Sequence, residues 1–282
     1  MKNVLVTGAN GQLGACFKKI SGDYAEFNFI FKSSSEADIT DKSKLEKLFS
    51  KVNFDWVINC AAYTNVEKAE SEKEKAFKIN AEAAKNLAEV CNEFGAKLIH
   101  FSTDYVFDGK TEKPYQETDS TNSINVYGAS KLKGEQLIAE VLEEHFILRT
   151  SWLYSEFGHN FYKTILRKIR EKAELNITTS QTGTPTNAND LAELVLEIIV
   201  SENKDFGLYH FSNLGEATWY DFAKAILEIT GNSADIVLNK SNNFKTIAAR
   251  PEYSVLDKTK LQQQFSKPVL NWKVSLEKLI SA

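Results

Sequence analysis

The apolar run Val4-Leu5-Val6 passes straight into Thr7-Gly8-Ala9-Asn10-Gly11-Gln12-Leu13-Gly14, and the segment after Gly11 reads as a helix to about Ile20. A strand that turns through glycines into a helix is the start of a βαβ unit. It sets the positive end of the helix at the ligand edge of a parallel sheet. The glycines allow the tight turn and let the backbone come close to a pyrophosphate.

The following residues extend this pattern. Strand-like runs at 27–31, 56–60, 97–101 and 146–149 alternate with helical patterns. Thr40-Asp41 can cap a helix through Phe49. Residues 71–94 carry Ala76, Ile79, Ala83, Leu87 and Val90 at the spacing of one long helix, and another helix begins near Tyr127 and runs to about Leu142. Apolar strands alternating with helices predict an α/β fold, a doubly wound parallel sheet (Rossmann-like) covered on both faces. Past residue 151 the order loosens, with helical patterns at 159–172, 189–200 and 218–230 and strand-like runs at 208–212 and 236–238. For a chain of 282 residues, at ~150 residues per domain, the expectation is a dinucleotide-binding domain over 1–150. Residues 151–282 would then form mainly a smaller substrate-binding lobe, with segments rejoining the sheet.

Composition narrows the function. Thirty-four Lys and Arg against 38 Asp and Glu leave a net charge of −4, which exerts no global pull on nucleic acid or anionic membranes. Neither is expected as a partner, and an anionic ligand would need local positive groups. Residues 194–200 are apolar but for Glu197, well short of the ~18 apolar residues of a membrane helix. The opening apolar stretch is too short for an export signal, so the chain reads as cytoplasmic. Cys16, Cys60 and Cys91 show no CxxC spacing and read as free thiols of a reducing compartment. His100, His145, His159 and His210 have no ligand-like spacing, and no metal is predicted.

The chemistry is concentrated in Tyr127-Gly-Ala-Ser-Lys131. A tyrosine and a lysine four apart on a helix share one face, so the ammonium is expected to lower the phenol's pKa. Such a phenol can exchange a proton with a carbonyl or alcohol oxygen. Ser102-Thr103-Asp104 leaves the fourth strand at the ligand edge, where the Thr103 hydroxyl can be a second donor to developing negative charge. The second strand ends in Phe31-Lys32-Ser33-Ser34-Ser35, with Glu36 and Asp38 close behind. Lys32 and the serines suit a 2′-phosphate and the acids suit free ribose hydroxyls, so NADPH and NADH both remain open. Arg250 offers a guanidinium fork to phosphate.

The glycine spacing resembles the extended short-chain dehydrogenase/reductase family. Within it the chain is similar, nearly end to end, to the dTDP-4-dehydrorhamnose reductases. The resemblance rests on Ala61-Ala-Tyr-Thr-Asn-Val-Glu-Lys-Ala-Glu70, Ser102–Gly109, Tyr127–Lys131, Arg149-Thr-Ser-Trp152-Leu-Tyr154, Gly158-His-Asn160-Phe161 and Arg250-Pro-x-x-Ser254-x-Leu-Asp257. It implies reduction of a dTDP-bound 4-keto sugar by NADPH or NADH, with Thr103, Tyr127 and Lys131 as the catalytic group. Gly8, Gly11, Gln12, Leu13, Gly14, Lys32, Asp38, Ile39, Ala61, Ala62 and Tyr63 would hold the cofactor together with Tyr127 and Lys131. Thr103, Asp104, Trp152, Asn160 and Arg250 would hold the dTDP-sugar, Trp152 by packing on it. The assembly would be a monomer or a homodimer. Some relatives bridge a dimer through magnesium and an early acid of the first helix, but Gly14-Ala15-Cys16-Phe17 carries none. Two other readings share the fold: a non-catalytic regulatory subunit like that of methionine adenosyltransferase, and another nucleotide-sugar reductase, epimerase or dehydratase. For a dehydratase Asp104 would be followed by an acid, and here it is followed by Tyr105.

Overall fold

A computed structural model describes residues 1–241, 245–265 and 267–281. Six strands, β1 (Lys2–Thr7), β2 (Phe27–Phe31), β3 (Trp56–Asn59), β4 (Lys97–Thr103), β5 (His145–Thr150) and β6 (Gly207–His210), form one sheet. Its spatial order is β6-β5-β4-β3-β1-β2 and every pairing is parallel. The doubly wound α/β architecture predicted from the alternation is therefore present. The chain departs from β1 to both sides, so the crevice beyond the carboxyl ends of β1 and β3 is the place where such sheets bind ligands.

Side-chain alternation along the strands builds two cores. Val4, Val6, Trp56, Ile58, Phe146 and Leu148 face α1 (Gln12–Ile20) and α6 (Ala188–Val200), packing on Phe17, Leu191 and Val195. Leu5, Val57, Leu98 and Ile147 face α2 (Lys42–Phe49), α3 (Ala83–Phe94) and α4 (Val126–Val141) through Leu45, Leu87 and Ile138. Each such side chain, fully buried, stabilises the fold by ~1.5–3 kcal/mol. A third core of Tyr154, Ile165, Phe222, Ile226 and Trp272 lies under α5 (Phe161–Arg170) and α7 (Trp219–Ile229). Among the described residues no helix is long and apolar enough to cross a membrane.

Local chemistry explains the element ends. Asp41 caps α2 by accepting from Lys44 N, as its position before the helix predicts. Strand β4 runs two residues past its apolar stretch because Ser102 and Thr103 stay in register with Arg149 and Thr150 of β5. The single helix expected over 71–94 runs unbroken from Lys73 to Phe94, with a π-helical turn Lys78–Glu82 between Lys73–Phe77 and α3, and a separate short helix, Val66–Ala69, precedes it. Asn80 accounts for the widening. Its Oδ1 accepts from Tyr63 N at 2.8 Å, while Nδ2 donates to Tyr63 O at 3.0 Å and Ser130 Oγ at 2.9 Å. Such turns put a side chain inward at the cost of regular pairing. The strand expected at 236–238 is Leu238–Lys240, paired with Leu175–Ile177, and Ile236 enters the third core.

Candidate functional site

At the mouth of the crevice, Gly8 has φ +61 and packs directly on the chain leaving β3; a Cβ there would stand 2.6 Å from Ala61 N and Cys60 C. Only glycine fits that left-handed, crowded position. Gly11 begins α1 without a side-chain cap, and no acid occupies the first turn, which leaves the amides of the helix start open to an anion. A cavity of about 290 Å³ lies alongside, lined by Gly8, Gly11, Asp38, Ile39, Ala61 and Ala62 among the expected residues. Asn10, Ser34, Thr40, Cys60 and Ile79 line it too. Asn10 belongs to the glycine turn and Ser34 to the segment after β2, and Ile79 gets there through the π turn.

The other residues expected at the cofactor play different parts. Leu13 is buried in the first core. Gly14 lets α1 lie on Ala9, whose Cα a Cβ would meet at 2.7 Å. Gln12 turns to the lobe and accepts from Asn160 Nδ2 at 2.6 Å. Tyr63 packs with Ala69 and Ala76 and donates to Glu72 at 3.2 Å, while its backbone N–H and carbonyl are both held by Asn80. Lys32 Nζ lies 3.5 Å from Glu36.

Across the crevice α4 carries Tyr127 and Lys131 past the end of β4. Asn125 starts the helix, accepting from Gly128 N at 2.7 Å and donating to Ala249 O at 2.8 Å. Gly128 lets the helix touch the turn after Thr103; a Cβ there would meet Tyr105 O at 2.0 Å. Tyr127 meets Tyr105 edge-on, ring centroids 6.1 Å apart. Burial and the Asp104 carboxylate raise the Tyr127 phenol to about 12, against a small opposing pull from Thr103. That sign is opposite to the one expected from the Tyr–Lys spacing, because burial and the neighbouring Asp104 set it.

Lys131, 2% exposed, places Nζ 3.2 Å from His100 Nε2. His100 Nδ1 is 3.0 Å from Asn59 Nδ2, and Asn59 Oδ1 accepts from Thr7 Oγ1 at 2.7 Å and Ala61 N at 3.2 Å. Two donors on Oδ1 make the Asn59 amide nitrogen the donor to His100, which assigns the ring proton to Nε2. That N–H points at Lys131, where an ammonium offers it no acceptor, and so works with burial to lower the lysine's proton affinity. Burial lowers Lys131 to about 8, with Glu135 pulling the other way, and burial, then the Lys131 charge, holds His100 well below its ordinary range. Neither His100 nor Asn59 belongs to a motif read from the sequence. A histidine in the apolar run before Ser102 was the available signal.

The turn after β4 and its surroundings hold unmet polar atoms. Thr103 Oγ1 donates to Asp104 Oδ1 at 3.0 Å, but Asp104 Oδ2, Ser102 Oγ and Arg250 Nε are buried without a partner. Burial raises the Asp104 carboxyl to about 6. Arg250 Nη2 donates to Glu67 Oε1 at 2.8 Å, and Glu67 Oε2 also accepts from Ile247 N at 2.8 Å. Asp104, Arg250, Tyr127 and Glu67 all lie near enough to Tyr105 to act electrostatically on its phenol.

Two expected substrate residues look different in the fold. Trp152 has φ +45, strained for a non-glycine residue, and stacks on Trp219 with centroids 3.6 Å apart and planes 6° apart. The face that Trp219 covers is closed to a sugar. Asn160 caps α5 through Lys163 N at 3.0 Å, and its amide nitrogen donates to Gln12, Ser155 O and Phe157 O. These bonds engage its oxygen and its amide nitrogen and tie the start of α5 to the glycine turn.

Known proteins share this sequence pattern and fold. The family model described as RmlD substrate binding domain matches residues 1–282. A dTDP-4-dehydrorhamnose reductase of Aggregatibacter actinomycetemcomitans is 36% identical, covering 99% of this chain and 98% of that protein. Among solved structures, a dTDP-4-dehydrorhamnose reductase from Bacillus anthracis in complex with NADP superposes with a TM-score of 0.94 at 36% identity, covering 100% of this chain and 99% of that one. One from Clostridium acetobutylicum gives 0.92 at 38% identity, covering 99% and 98%.

Proposed function

The chain belongs to the RmlD substrate binding domain family, and on that premise we propose that it reduces the 4-keto group of dTDP-4-dehydro-β-L-rhamnose to give dTDP-β-L-rhamnose. NADPH or NADH, bound in the groove between Gly8 and Ala61, would supply the hydride. The observation that carries the reading is Tyr127 held beside Thr103 and Asp104 at the open end of β4, with the glycine cradle and uncapped α1 across the crevice.

Tyr127 is the proton donor. With its phenol near 12 it is protonated throughout the neutral range and can pass the proton to the nascent alkoxide. The phenolate left behind needs a cation, and Lys131, one turn along α4 and held near 8, is largely charged at pH 7. The Thr103 hydroxyl, now on Asp104, turns to the ketone oxygen as the second donor to charge forming there. Asp104 Oδ2 and Arg250 Nε, both unpaired, meet the sugar hydroxyls and the diphosphate, Arg250 being aimed by Glu67.

The test is to mix the purified protein with NADPH or NADH and dTDP-4-dehydrorhamnose, follow absorbance of the reduced nicotinamide, and identify the product by NMR. Oxidation with dTDP-rhamnose as product is expected. Tight dinucleotide binding without turnover points instead to a regulatory subunit, and turnover only with a different 4-keto sugar nucleotide moves the substrate assignment.

A further inference from the structure

One side chain already holds the anion donors beyond β2. The Lys32 carbonyl accepts from Ala9 N at 3.1 Å, fixing this segment beside the glycine turn, and Ser34 lines the groove with Asp38. Glu36 folds back over it. Its Oε2 accepts from Ser33 N at 2.9 Å and Ser33 Oγ at 2.7 Å, and its Oε1 lies 3.5 Å from Lys32 Nζ. Ser33 has a single hydroxyl proton, committed to Glu36, so Ser35 Oγ at 3.0 Å must be the donor to Ser33 Oγ. The Ser33 hydroxyl and then its amide hold the Glu36 carboxyl down at about 2, so it is an anion at neutral pH.

A backbone amide, hydroxyls and an ammonium gathered around one anion form the donor set that binds a phosphate monoester. At the second-strand end of a dinucleotide fold, that phosphate is the 2′-phosphate separating NADPH from NADH, and the acid at this end is the partner of free ribose hydroxyls. We propose that Glu36 sets the dinucleotide preference of this protein by standing in the place of the 2′-phosphate and engaging the donors that phosphate would use. The inference rests on the dinucleotide reading above. NADH leaves the carboxylate where it is, with the ribose hydroxyls as further donors to it. NADPH must displace it and then tolerates a nearby like charge. The turn itself is closed by Glu36 N and Ala37 N, which donate to Ser33 O at 3.1 and 2.9 Å, so neutral variants keep the segment's shape.

The experiment is calorimetric titration of the full chain with NADH and with NADPH, without substrate, for the wild type, Glu36→Gln, Glu36→Ala and Glu36→Ala combined with Lys32→Ala. The wild type should bind NADH more tightly. Both single variants should tighten NADPH and weaken NADH, together shifting the preference toward NADPH by at least about tenfold, the scale of one charge-assisted hydrogen bond. Adding Lys32→Ala should reverse most of the gain. An unchanged NADPH/NADH ratio overturns the inference, and so does a parallel loss of both, which would make Glu36 merely a closure of its turn. Failure of the folded wild type to bind either dinucleotide overturns the cofactor reading and this inference with it.

Discussion

Lys131 Nζ stands 3.2 Å from His100 Nε2, on an imidazole whose other nitrogen is held by Asn59. The lysine of the Tyr–Lys pair is thus anchored through β4 and β3 to Thr7 at the end of β1, where the glycine turn begins. The relay runs across three strands beneath the crevice, joining α4 to the glycine turn.

The relay sets a pH limit on activity. If the Lys131 ammonium stabilises the phenolate, kcat/KM should fall as pH rises through about 8, the value to which burial lowers Lys131. In His100→Gln the amide oxygen can accept from the ammonium, and the limb should move up by about one pH unit, equivalent to ~1.4 kcal/mol. A pH–rate profile identical to the wild type's would show that His100 does not govern Lys131.

Stability should carry the same signature. Lys131 titrates near 8 in the fold against 10.5 for a free lysine. Between those values the unfolded chain binds a proton that the native state does not, so its contribution to stability grows with rising pH and is absent below about pH 8. Lys131→Met should abolish this increment, on the order of 3 kcal/mol as a ceiling. Urea denaturation of both proteins at pH 7.5 and 10 measures it; parallel pH dependences would contradict the burial argument.

Arg250 and Glu67 should act as a pair on substrate binding. Arg250→Lys loses the unpaired Nε and the fork, and should raise KM for the dTDP-sugar about tenfold, the worth of one hydrogen bond to a charged group. Glu67→Gln should raise it less, and the double variant should fall short of the product of the two. Multiplicative effects in that kinetic cycle would deny the coupling.

Gly128→Ala places a methyl 2.0 Å from Tyr105 O, forcing α4 away from the turn that bears Thr103 and Asp104. A displacement near 1 Å at a reacting centre costs on the order of 100-fold in turnover. Dinucleotide binding at the far wall of the crevice should change little. Unaltered kcat in this variant would mean that the helix-to-turn contact does not position Tyr127.

Much of this was legible in the chain because it is local. Val4, Leu5 and Val6 alternate between two cores, Asp41 precedes the helix it caps, and Gly8 marks a φ that only glycine takes easily. What escaped depends on contacts distant in sequence. Ala76, Ile79, Ala83 and Leu87 keep a helical period through a π turn that is set by Asn80 bonding residues 63 and 130. Trp152 could not announce that Trp219 covers it, nor Asn160 that Gln12 takes its amide. The sign of the Tyr127 shift followed from burial beside Asp104, which a four-residue spacing does not encode.

The most direct measurement of the central claim is single-turnover oxidation of the reduced dinucleotide by dTDP-4-dehydrorhamnose in the wild type and in Tyr127→Phe. The proton-donor role predicts a rate lower by at least ~100-fold in the variant, with cofactor affinity retained. A near-normal rate in Tyr127→Phe would contradict it and remove Tyr127 from the proton transfer.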